Sequence, residues 1–395
     1  MARYRSFDEH LSAEVGPKRI LSLDGGGLRG VMTVQVLRSI ETLLRQRFDD
    51  PDMRLADYFD LIAGTSTGAI IAAGLSLGMT VDEIEGHYLE LGTKVFKRNF
   101  WRIGYVQDKF DAEAVAKALQ TVFGPRTLNC TDFRTGLLVV AKRLDTGSTW
   151  VLTNNPRSRY FRPDAERPTT LPNGEYPLWQ VVRASTAAPT FFAPEEIRIH
   201  SDEVPGRTDT VGVFIDGGVS PHNNPSLQAL MAATMEGYQF NWPAGDDQLL
   251  LVSVGTGKAD PTVDLSGRMA GTSAVQGLLA LNNLMEDCAD LVETMLQWLS
   301  TPHDTGRTID RAMGRAGPVL GNRAQLTYRR YNAHFTAQWF KESLGREVDA
   351  AYLVRMQEMD RPGNIEDLQA LGREVADRQV SGEHLPEPFD RGVRV

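Results

Sequence analysis

The 395-residue chain has little cysteine, since only Cys130 and Cys288 are present. Two cysteines are too few for the disulfide framework that stabilises many small secreted domains. We therefore expect both to be buried thiols in a reducing compartment. The first ten residues, MARYRSFDEH, contain no apolar segment of the kind that a secretory signal needs. These two features favour a cytoplasmic protein.

Positive charge is also in short supply. Lys and Arg number 42 against 51 Asp and Glu, which gives a net charge of −9 and a pI near 5.4. An excess of negative charge argues against a general nucleic-acid binder or a polybasic membrane adaptor, because both bind polyanions through Lys and Arg. Hydrophobic content of 42% and charged content of 24% are ordinary for a globular protein.

One long run, residues 61–81, has no charged residue over 21 positions. That length approaches the roughly 20 residues that a transmembrane helix needs. However, small and polar residues interrupt the run at Gly64, Thr65, Ser66, Thr67, Gly68 and Gly74. The favoured interpretation is therefore a buried strand, a turn and a helix.

The same run contains the pentapeptide GTSTG at residues 64–68, which fits the G-x-S-x-G nucleophile elbow. In an elbow the serine lies on a sharp turn between a strand and a helix. Residues 58–63 predict the strand, and residues 69–75 predict the apolar helix. A Cβ atom at Gly64 or Gly68 would clash where the helix folds back over the strand. Ser66 is thus the candidate nucleophile.

The rest of the chain alternates between the two kinds of element. Strands are predicted at residues 18–24, 135–141, 149–153, 211–215 and 248–254. Helices are predicted at residues 31–48, 81–91, 178–184 and 225–235. This alternation indicates an α/β fold with a largely parallel sheet. Residues 154–177 read as a long irregular loop, and the pattern is mainly helical after about residue 270. No internal repeat is present, which favours one domain.

A glycine loop, DGGGLRG at residues 24–30, follows the first strand and opens a helix. Gly25, Gly27 and Gly30 satisfy the G-x-G-x-x-G fingerprint of dinucleotide-binding folds. That fold needs an acidic residue at the end of a second strand about 20 residues later. Here Glu41 falls inside the predicted helix instead.

The alternative interpretation of this loop is an oxyanion hole. Successive N–H groups at a helix N-terminus can stabilise a developing negative charge, and each donor is worth about 3 kcal/mol in the transition state. Arg29 would add positive charge there or anchor the loop, or else it would make an ordinary surface ion pair. Asp24 is expected to brace the loop as a hydrogen-bond acceptor.

A serine nucleophile needs a base. None of the seven histidines lies where an α/β-hydrolase histidine would be expected, in a strand-end loop late in the sheet. Asp216 instead ends the predicted strand 211–215 and is followed by Gly217 and Gly218. A carboxylate base needs burial to raise its pKa toward neutral pH. His222 is the rival participant nearby.

Four motifs together, DGGGLRG (24–30), GTSTG (64–68), ASTAAP (184–189) and DGG (216–218), resemble those of the patatin-like phospholipases. NNP at 223–225, SVGTG at 253–257 and the MDRP segment at 359–362 with its following helix fit the same pattern. The resemblance implies a three-layer α/β fold with a central, mostly parallel sheet flanked by helices, and a helical C-terminal portion. The acyl hydrolase domain is expected over residues 18–380, between a flexible segment at 1–17 and a polar tail at 381–395.

The resemblance also implies a lipid acyl hydrolase of the phospholipase A or lysophospholipase type that acts on glycerophospholipid esters through a Ser–Asp dyad. By analogy, Ser66 is the nucleophile and Asp216 the base. The oxyanion hole would be formed by the backbone N–H groups of Gly25, Gly26, Gly27 and Leu28. Supporting roles fall to Arg29, Thr67, Gly217 and Gly218. No metal or other cofactor is implied, and no nucleic-acid polymer is expected as a partner. Peripheral membrane contact and a homo-oligomer are compatible with the resemblance.

Three further segments bear on substrate binding. Residues 94–105 mix basic and aromatic side chains, as a membrane-interface patch or a half-buried helix would. Residues 278–298 predict a long apolar helix, which would line an acyl channel, act as a lid or pack in the core, with core packing favoured. Residues 325–339 predict a strand pair or a surface loop. Glu286, Asp287 and Asp290 are interpreted as a solvated helix face, not a metal site.

Two alternative functions stay open at this point. One is a phospholipase effector that a ligand activates, such as a bacterial anti-phage protein triggered by a cyclic nucleotide. The other, from a different class, is a nucleotide-binding oxidoreductase that uses the loop at residues 25–30.

Overall fold

A computed structural model gives the architecture. It describes residues 3–95, 112–166, 168–189, 191–201, 210–258, 273–301 and 323–394, without the side chains of 93–95 and 273–282. The predicted basic and aromatic segment at 94–105 therefore lies outside the described residues, apart from the backbone of its first two.

A central sheet of eight strands organises the described part of the chain. The strands are β1 (Lys18–Leu23), β2 (Leu61–Thr65), β3 (Gly136–Arg143), β4 (Thr149–Thr153), β5 (Glu195–Arg198), β6 (Val211–Asp216), β7 (Leu249–Val254) and β8 (Thr327–Tyr331). Their order is β5-β6-β3-β2-β1-β7-β8, and β4 pairs with β3 off this path. The pairs among β3, β2, β1, β7 and β8 are parallel, whereas β4, β5 and β6 pair antiparallel.

Helices cover both faces of this sheet. They are α1 (Phe7–Leu11), α2 (Gly30–Arg47), α3 (Leu55–Tyr58), α4 (Thr67–Ser76), α5 (Val81–Val95), α6 (Ala112–Phe123), α7 (Leu178–Ser185), α8 (Ser226–Thr234), α9 (Ser273–Leu299), α10 (Ala337–Leu344), α11 (Ala350–Gln357) and α12 (Ile365–Gln379). One core lies between the sheet and the layer that contains α2, α4, α7 and α12. A second core lies between the opposite face and α8 and α9. The expected three-layer α/β fold with a helical C-terminal portion is confirmed.

The central strands are buried along their whole length because helices cover the sheet on both sides. Every residue of β1, β2 and β7 is buried. The uncharged run at residues 61–81 forms β2, α4 and the start of α5, so its interpretation as strand, turn and helix is confirmed. Among the described residues, no helix is both long and apolar enough to cross a membrane.

Two expectations from the sequence were wrong. Residues 325–339 form neither a strand pair nor a surface loop: β8 is a single strand paired in parallel with β7, and α10 begins at Ala337. Cys130 and Cys288 are free thiols, but both are half-buried and not fully buried.

Both ends of the chain pack against the sheet. The short helix α1 begins with a capping box between Ser6 and Glu9. Arg5 is buried and donates a hydrogen bond from Nε to the carbonyl oxygen of Gly392 (2.5 Å). Phe389 is also buried. The described parts of the two end segments, residues 3–17 and 381–394, thus contact each other, whereas the flexible segment, the tail and the domain boundaries stay predictions.

Candidate active site

Ser66 lies in the turn between β2 and α4. Its φ of +55° and ψ of −125° belong to a region that side-chain-bearing residues rarely adopt. The neighbouring glycines make this turn feasible. A Cβ atom on Gly64 would overlap the carbonyl oxygen of Gly68, and one on Gly68 would overlap that of Leu23. The first turn of α4 therefore lies directly against the strand ends, as the elbow pattern predicts.

Ser185, the last residue of α7, forms a hydrogen bond with the backbone of this elbow. The N–H of Ser66 donates to Oγ of Ser185 (2.8 Å), and that hydroxyl donates to the carbonyl oxygen of Val140 (2.6 Å). Thr65 also donates from its hydroxyl to the carbonyl oxygen of His222 (2.7 Å). Ser185 belongs to the ASTAAP motif. These contacts give that motif a structural role that the sequence pattern alone did not identify.

Asp216 is the side chain that meets the serine. Oγ of Ser66 donates to Oδ2 of Asp216 at 2.6 Å, and the N–H of Gly218 donates to Oδ1 at 2.7 Å. Strand β6 pairs with β3 and ends at Asp216, which brings this residue beside the elbow. A Cβ atom on Gly217 would overlap the carbonyl oxygen of Val140. The two glycines after Asp216 thus allow the close approach that the sequence predicted.

The environment of Asp216 suits a base. Burial raises the pKa of its carboxyl group to about 6, although the hydrogen bonds from Ser66 and Gly218 and the charge of Arg183 act in the opposite direction. At neutral pH the group is therefore ionised, yet it holds a proton more readily than an exposed aspartate. Such a carboxylate can accept a proton from a hydroxyl group that donates to it.

His222 does not join this pair. Its ring makes no hydrogen bond to Ser66 or Asp216, and its buried Nδ1 has no hydrogen-bond partner among the described residues. Burial lowers the pKa of its imidazole. Its backbone carbonyl supports Thr65 instead. The structure thus brings Asp216, and not His222, to the serine.

The glycine loop lies on the other side of Ser66. A Cβ atom on Gly25 would be 3.0 Å from Cβ of Ser66. Two of the four predicted oxyanion donors are already engaged: the N–H of Gly25 donates to the carbonyl oxygen of Asn223 (3.1 Å), and that of Leu28 donates to the carbonyl oxygen of Met359 (2.7 Å).

The N–H groups of Gly26 and Gly27 make no hydrogen bond within the described part of the chain. They are therefore the two backbone donors of the predicted set that a ligand beside Ser66 could use without displacing a protein acceptor. Of the four predicted oxyanion donors, the N–H groups of Gly26 and Gly27 thus remain as candidates.

Buried contacts hold this loop in place. Asp24 accepts two hydrogen bonds from Arg330 of β8 (2.8 and 2.5 Å), and Thr256 donates to the carbonyl oxygen of Gly25 (2.8 Å). A bidentate pair of this kind fixes orientation as well as distance. Asp24 braces the loop as an acceptor, in agreement with the sequence analysis, but its partner Arg330 was not foreseen. The SVGTG motif thus contacts the glycine loop through Thr256.

Arg29 and Thr67 are both buried. Arg29 is 5% exposed, so its interpretation as a surface ion pair was wrong. Its Cζ lies 5.7 Å from the ring centre of Phe335, and Glu286 is the negative charge that acts on it most strongly. Burial lowers the pKa of its guanidinium group. Thr67, the first residue of α4, is buried beside Tyr88.

Helix α9 borders the site. Cε of Met285 would be 3.5 Å from a Cβ atom on Gly218, and Glu286 faces Arg29. Asp290 accepts from Nζ of Lys258 at 2.5 Å. Asp287 is exposed, as a solvated acidic face requires, whereas Glu286 and Asp290 are half-buried.

The apolar side chains of α9 divide between two faces. Val292 and Leu296 are buried in the core, in agreement with the favoured interpretation. A second set on the opposite side, which we call the α9 stripe, is exposed: Leu284, Leu291, Met295 and Trp298. Within the described residues, no group of three or more His, Cys, Asp or Glu is placed to hold a metal ion.

The chain is similar in sequence to known proteins. A family model described as patatin-like phospholipase matches residues 21–230, which is more than half of the chain. This range includes Ser66, Asp216 and the glycine loop.

Three relatives illustrate the similarity. A cGAMP-activated phospholipase of Escherichia coli is 27% identical over 242 residues, which cover 60% of this chain and 62% of that protein. A cGAMP-activated phospholipase of Vibrio cholerae is 30% identical over 233 residues (56% and 58%). An intracellular phospholipase A2 of Caenorhabditis elegans is 30% identical over 269 residues (67% and 22%). In each case the match spans less than two thirds of the relative's own length.

Proposed function

Because the chain belongs to the patatin-like phospholipase family, we propose that it hydrolyses carboxylic esters of glycerophospholipids, as a phospholipase A or a lysophospholipase. The observation that carries this proposal is the 2.6 Å hydrogen bond from Oγ of Ser66 to Oδ2 of Asp216. The strained turn at Ser66 and the two unengaged N–H groups of the glycine loop would supply the other parts that acyl transfer needs.

In the first half of the reaction, Asp216 takes the hydroxyl proton while Oγ of Ser66 attacks the ester carbonyl carbon. The carbonyl oxygen becomes negatively charged in the tetrahedral intermediate, where the N–H groups of Gly26 and Gly27 would donate to it. Collapse of the intermediate breaks the bond to the leaving oxygen, which receives the proton from Asp216. A lysolipid or another alcohol departs, and the acyl group stays on Ser66.

In the second half, Asp216 accepts a proton from water as the water attacks the acyl-enzyme. A second tetrahedral intermediate forms and collapses, which releases the fatty acid and returns the proton to Ser66. One carboxylate with a pKa near 6 suffices for both steps, because it alternates between base and acid.

The proposal is tested with purified protein, mixed phospholipid vesicles and a chromogenic acyl ester. Ser66→Ala is expected to lower ester hydrolysis by about a thousandfold or more, because the nucleophile is lost. Mass spectrometry of the lipids identifies the acyl position and head group used by the wild type.

The matched control is Ser76→Ala at the far end of the same helix, where the buried hydroxyl donates only to the carbonyl oxygen of Gly136 (3.3 Å). This variant should retain hydrolysis. Full activity in Ser66→Ala would contradict the site assignment. If Ser66→Ala loses hydrolysis and Ser76→Ala keeps it, the oxidoreductase alternative is also removed, because hydride transfer needs no serine nucleophile.

A ligand-activated phospholipase is the second candidate function. It is favoured by the two relatives that are named cGAMP-activated phospholipases. In that case the purified wild type has little hydrolytic activity until cGAMP is added, and Ser66→Ala stays inactive with the ligand. Hydrolysis that is already rapid and does not respond to cGAMP would leave the first candidate alone.

A further inference from the structure

Tyr88 of α5 reaches the glycine loop with its hydroxyl group. The hydroxyl donates to the carbonyl oxygen of Gly27, and the backbone N–H of Gly30, at the start of α2, donates to that carbonyl oxygen as well. A Cβ atom on Gly30 would be only 2.6 Å from this hydroxyl. The tyrosine is 4% exposed, so the contact is shielded from water.

This contact holds one side of a single peptide group. The carbonyl of Gly27 and the N–H of Leu28 belong to the same planar unit. Tyr88 binds the carbonyl, while the carbonyl oxygen of Met359 accepts from the N–H at 2.7 Å. The plane between residues 27 and 28 is therefore held from both directions, by two elements that are remote in sequence.

The two preceding peptide groups, which carry the N–H groups of Gly26 and Gly27, are the ones that matter for catalysis. Gly27 has a φ of +58°, and the adjacent N–H groups of Gly26 and Gly27 make no hydrogen bond within the described part of the chain. Glycine backbones rotate freely unless something restrains them. Once the plane after Gly27 is held, the torsions of Gly27 relate it to the N–H of Gly27, and the torsions of Gly26 and Gly27 together relate it to the N–H of Gly26.

We propose that Tyr88 is a positioning residue for the oxyanion loop, whose hydroxyl fixes the peptide between Gly27 and Leu28 so that the N–H groups of Gly26 and Gly27 stay aligned beside Ser66. The inference rests on the proposed acyl hydrolase function. It assigns the hydroxyl a part in transition-state stabilisation, although it does not touch the substrate. Misaligned donors weaken binding of the oxyanion more than binding of the ground-state ester.

The test compares Tyr88→Phe with the wild type on a soluble chromogenic ester. We expect kcat to fall about tenfold or more, less than the loss on deleting an oxyanion donor outright, while KM stays nearly unchanged. A trifluoromethyl ketone, which forms a tetrahedral adduct with a serine, should lose affinity in proportion to kcat/KM. A non-hydrolysable amide analogue should bind equally well to both proteins.

Tyr58→Phe is the matched control. Tyr58 is also fully buried, but its hydroxyl has no hydrogen-bond partner among the described residues. Its removal should leave kcat, KM and inhibitor affinity unchanged. The proposal would be overturned if Tyr88→Phe retained the wild-type kcat. It would also be overturned if this variant lost affinity for the amide analogue and for the ketone to the same extent.

A second variant approaches the same contact from the opposite side. Gly30→Ala places a methyl group against the Tyr88 hydroxyl and should also lower kcat without changing KM. In the double variant the two losses should not add, because both act through one hydrogen bond. Additive losses, or a Gly30→Ala enzyme with wild-type kcat, would overturn the proposal even if Tyr88→Phe failed to fold. Ser66→Ala in the same assay reports separately on the proposed function.

Discussion

The protonation state of Asp216 controls whether Ser66 can lose its proton. A base acts only when it is ionised, so activity should be low below pH 6 and should reach a plateau above it. The midpoint of this acid limb is expected near the raised pKa of about 6. The pH dependence of kcat/KM on a soluble ester measures it. A midpoint near 4, the range of an ordinary aspartate, would contradict a buried base.

Arg183 offers a way to move this midpoint. Its positive charge lowers the pKa of Asp216, and its side chain is buried. Arg183→Met should therefore shift the acid limb to higher pH, because the carboxylate loses a favourable charge. Arg183→Lys keeps the charge and should leave the limb close to that of the wild type. A limb that stays in place, or moves to lower pH, in Arg183→Met would refute this electrostatic role.

At the scale of single residues, sequence reasoning located groups with a local signature. Ser66 was found through its flanking glycines, and Asp216 through its place at a strand end. Tyr88, Ser185 and Arg183 were not assigned roles, because their contacts join positions far apart in the chain. A hydrogen bond such as that between Ser66 and Ser185 leaves no periodic pattern in the sequence.

At the scale of elements, helix α9 has one buried face and one exposed apolar face. One face closes the core beside the site, whereas the α9 stripe is exposed, with Leu291 at 59%. Exposed apolar side chains next to a site that is proposed to take lipid substrates are suited to the interfacial region of a membrane. We therefore expect the proposed membrane contact to include this stripe.

Leu291→Glu tests this expectation. Hydrolysis of phospholipid vesicles should fall because a charge is costly at the lipid interface, while hydrolysis of a soluble ester should be unchanged. Met235→Glu is the control, because Met235 is an exposed apolar residue outside the α9 stripe. It follows the C-terminal end of α8, whereas Asn223, which contacts the glycine loop, precedes the N-terminal end. A variant at Leu291 that hydrolyses vesicles at the wild-type rate would exclude the stripe from the contact.

Strand β8 shows why one element was misjudged. Its sequence, TYRRY, carries two adjacent arginines, and a surface loop was one of the two structures predicted for this segment. In the structure Arg330 is buried because Asp24 neutralises it and Ser253 accepts a further hydrogen bond (2.7 Å). A charge that is paired inside the protein cannot be distinguished in sequence from one that is solvated. The pairing therefore had to come from the arrangement of the strands.

At the scale of the whole molecule, Asp60 joins the N-terminal segment to the sheet. It lies just before β2 and is fully buried. Oδ1 accepts from Arg5 (2.7 Å) and lies 2.8 Å from Nδ1 of His10, while Oδ2 accepts from the N–H and Nε of Arg19. The surrounding positive charges hold the pKa of Asp60 well below its usual range.

Asp60→Asn should destabilise the protein by about 3–5 kcal/mol, because it leaves buried cations without their counter-charge. Urea unfolding at neutral pH measures this loss. In the wild type, the stabilisation from Asp60 is present above the unfolded pKa and is lost as the pH falls through the lower folded pKa. Glu347→Gln, which removes a carboxylate from an exposed pair with Lys341, should leave the urea midpoint unchanged. Equal midpoints for Asp60→Asn and the wild type would show that the cluster does not stabilise the fold.

The sequence by itself determined the α/β alternation, the elbow at Ser66 and the glycine loop. These depend on torsions and periodicities within a few neighbouring residues, such as the glycines that let α4 fold back over β2. Only the tertiary structure decided which backbone N–H groups stay unengaged, which arginine neutralises Asp24 and which hydroxyl holds Gly27. Each of these is a matter of distance between residues far apart along the chain, and such distances exist only once the strands have paired and the helices have packed.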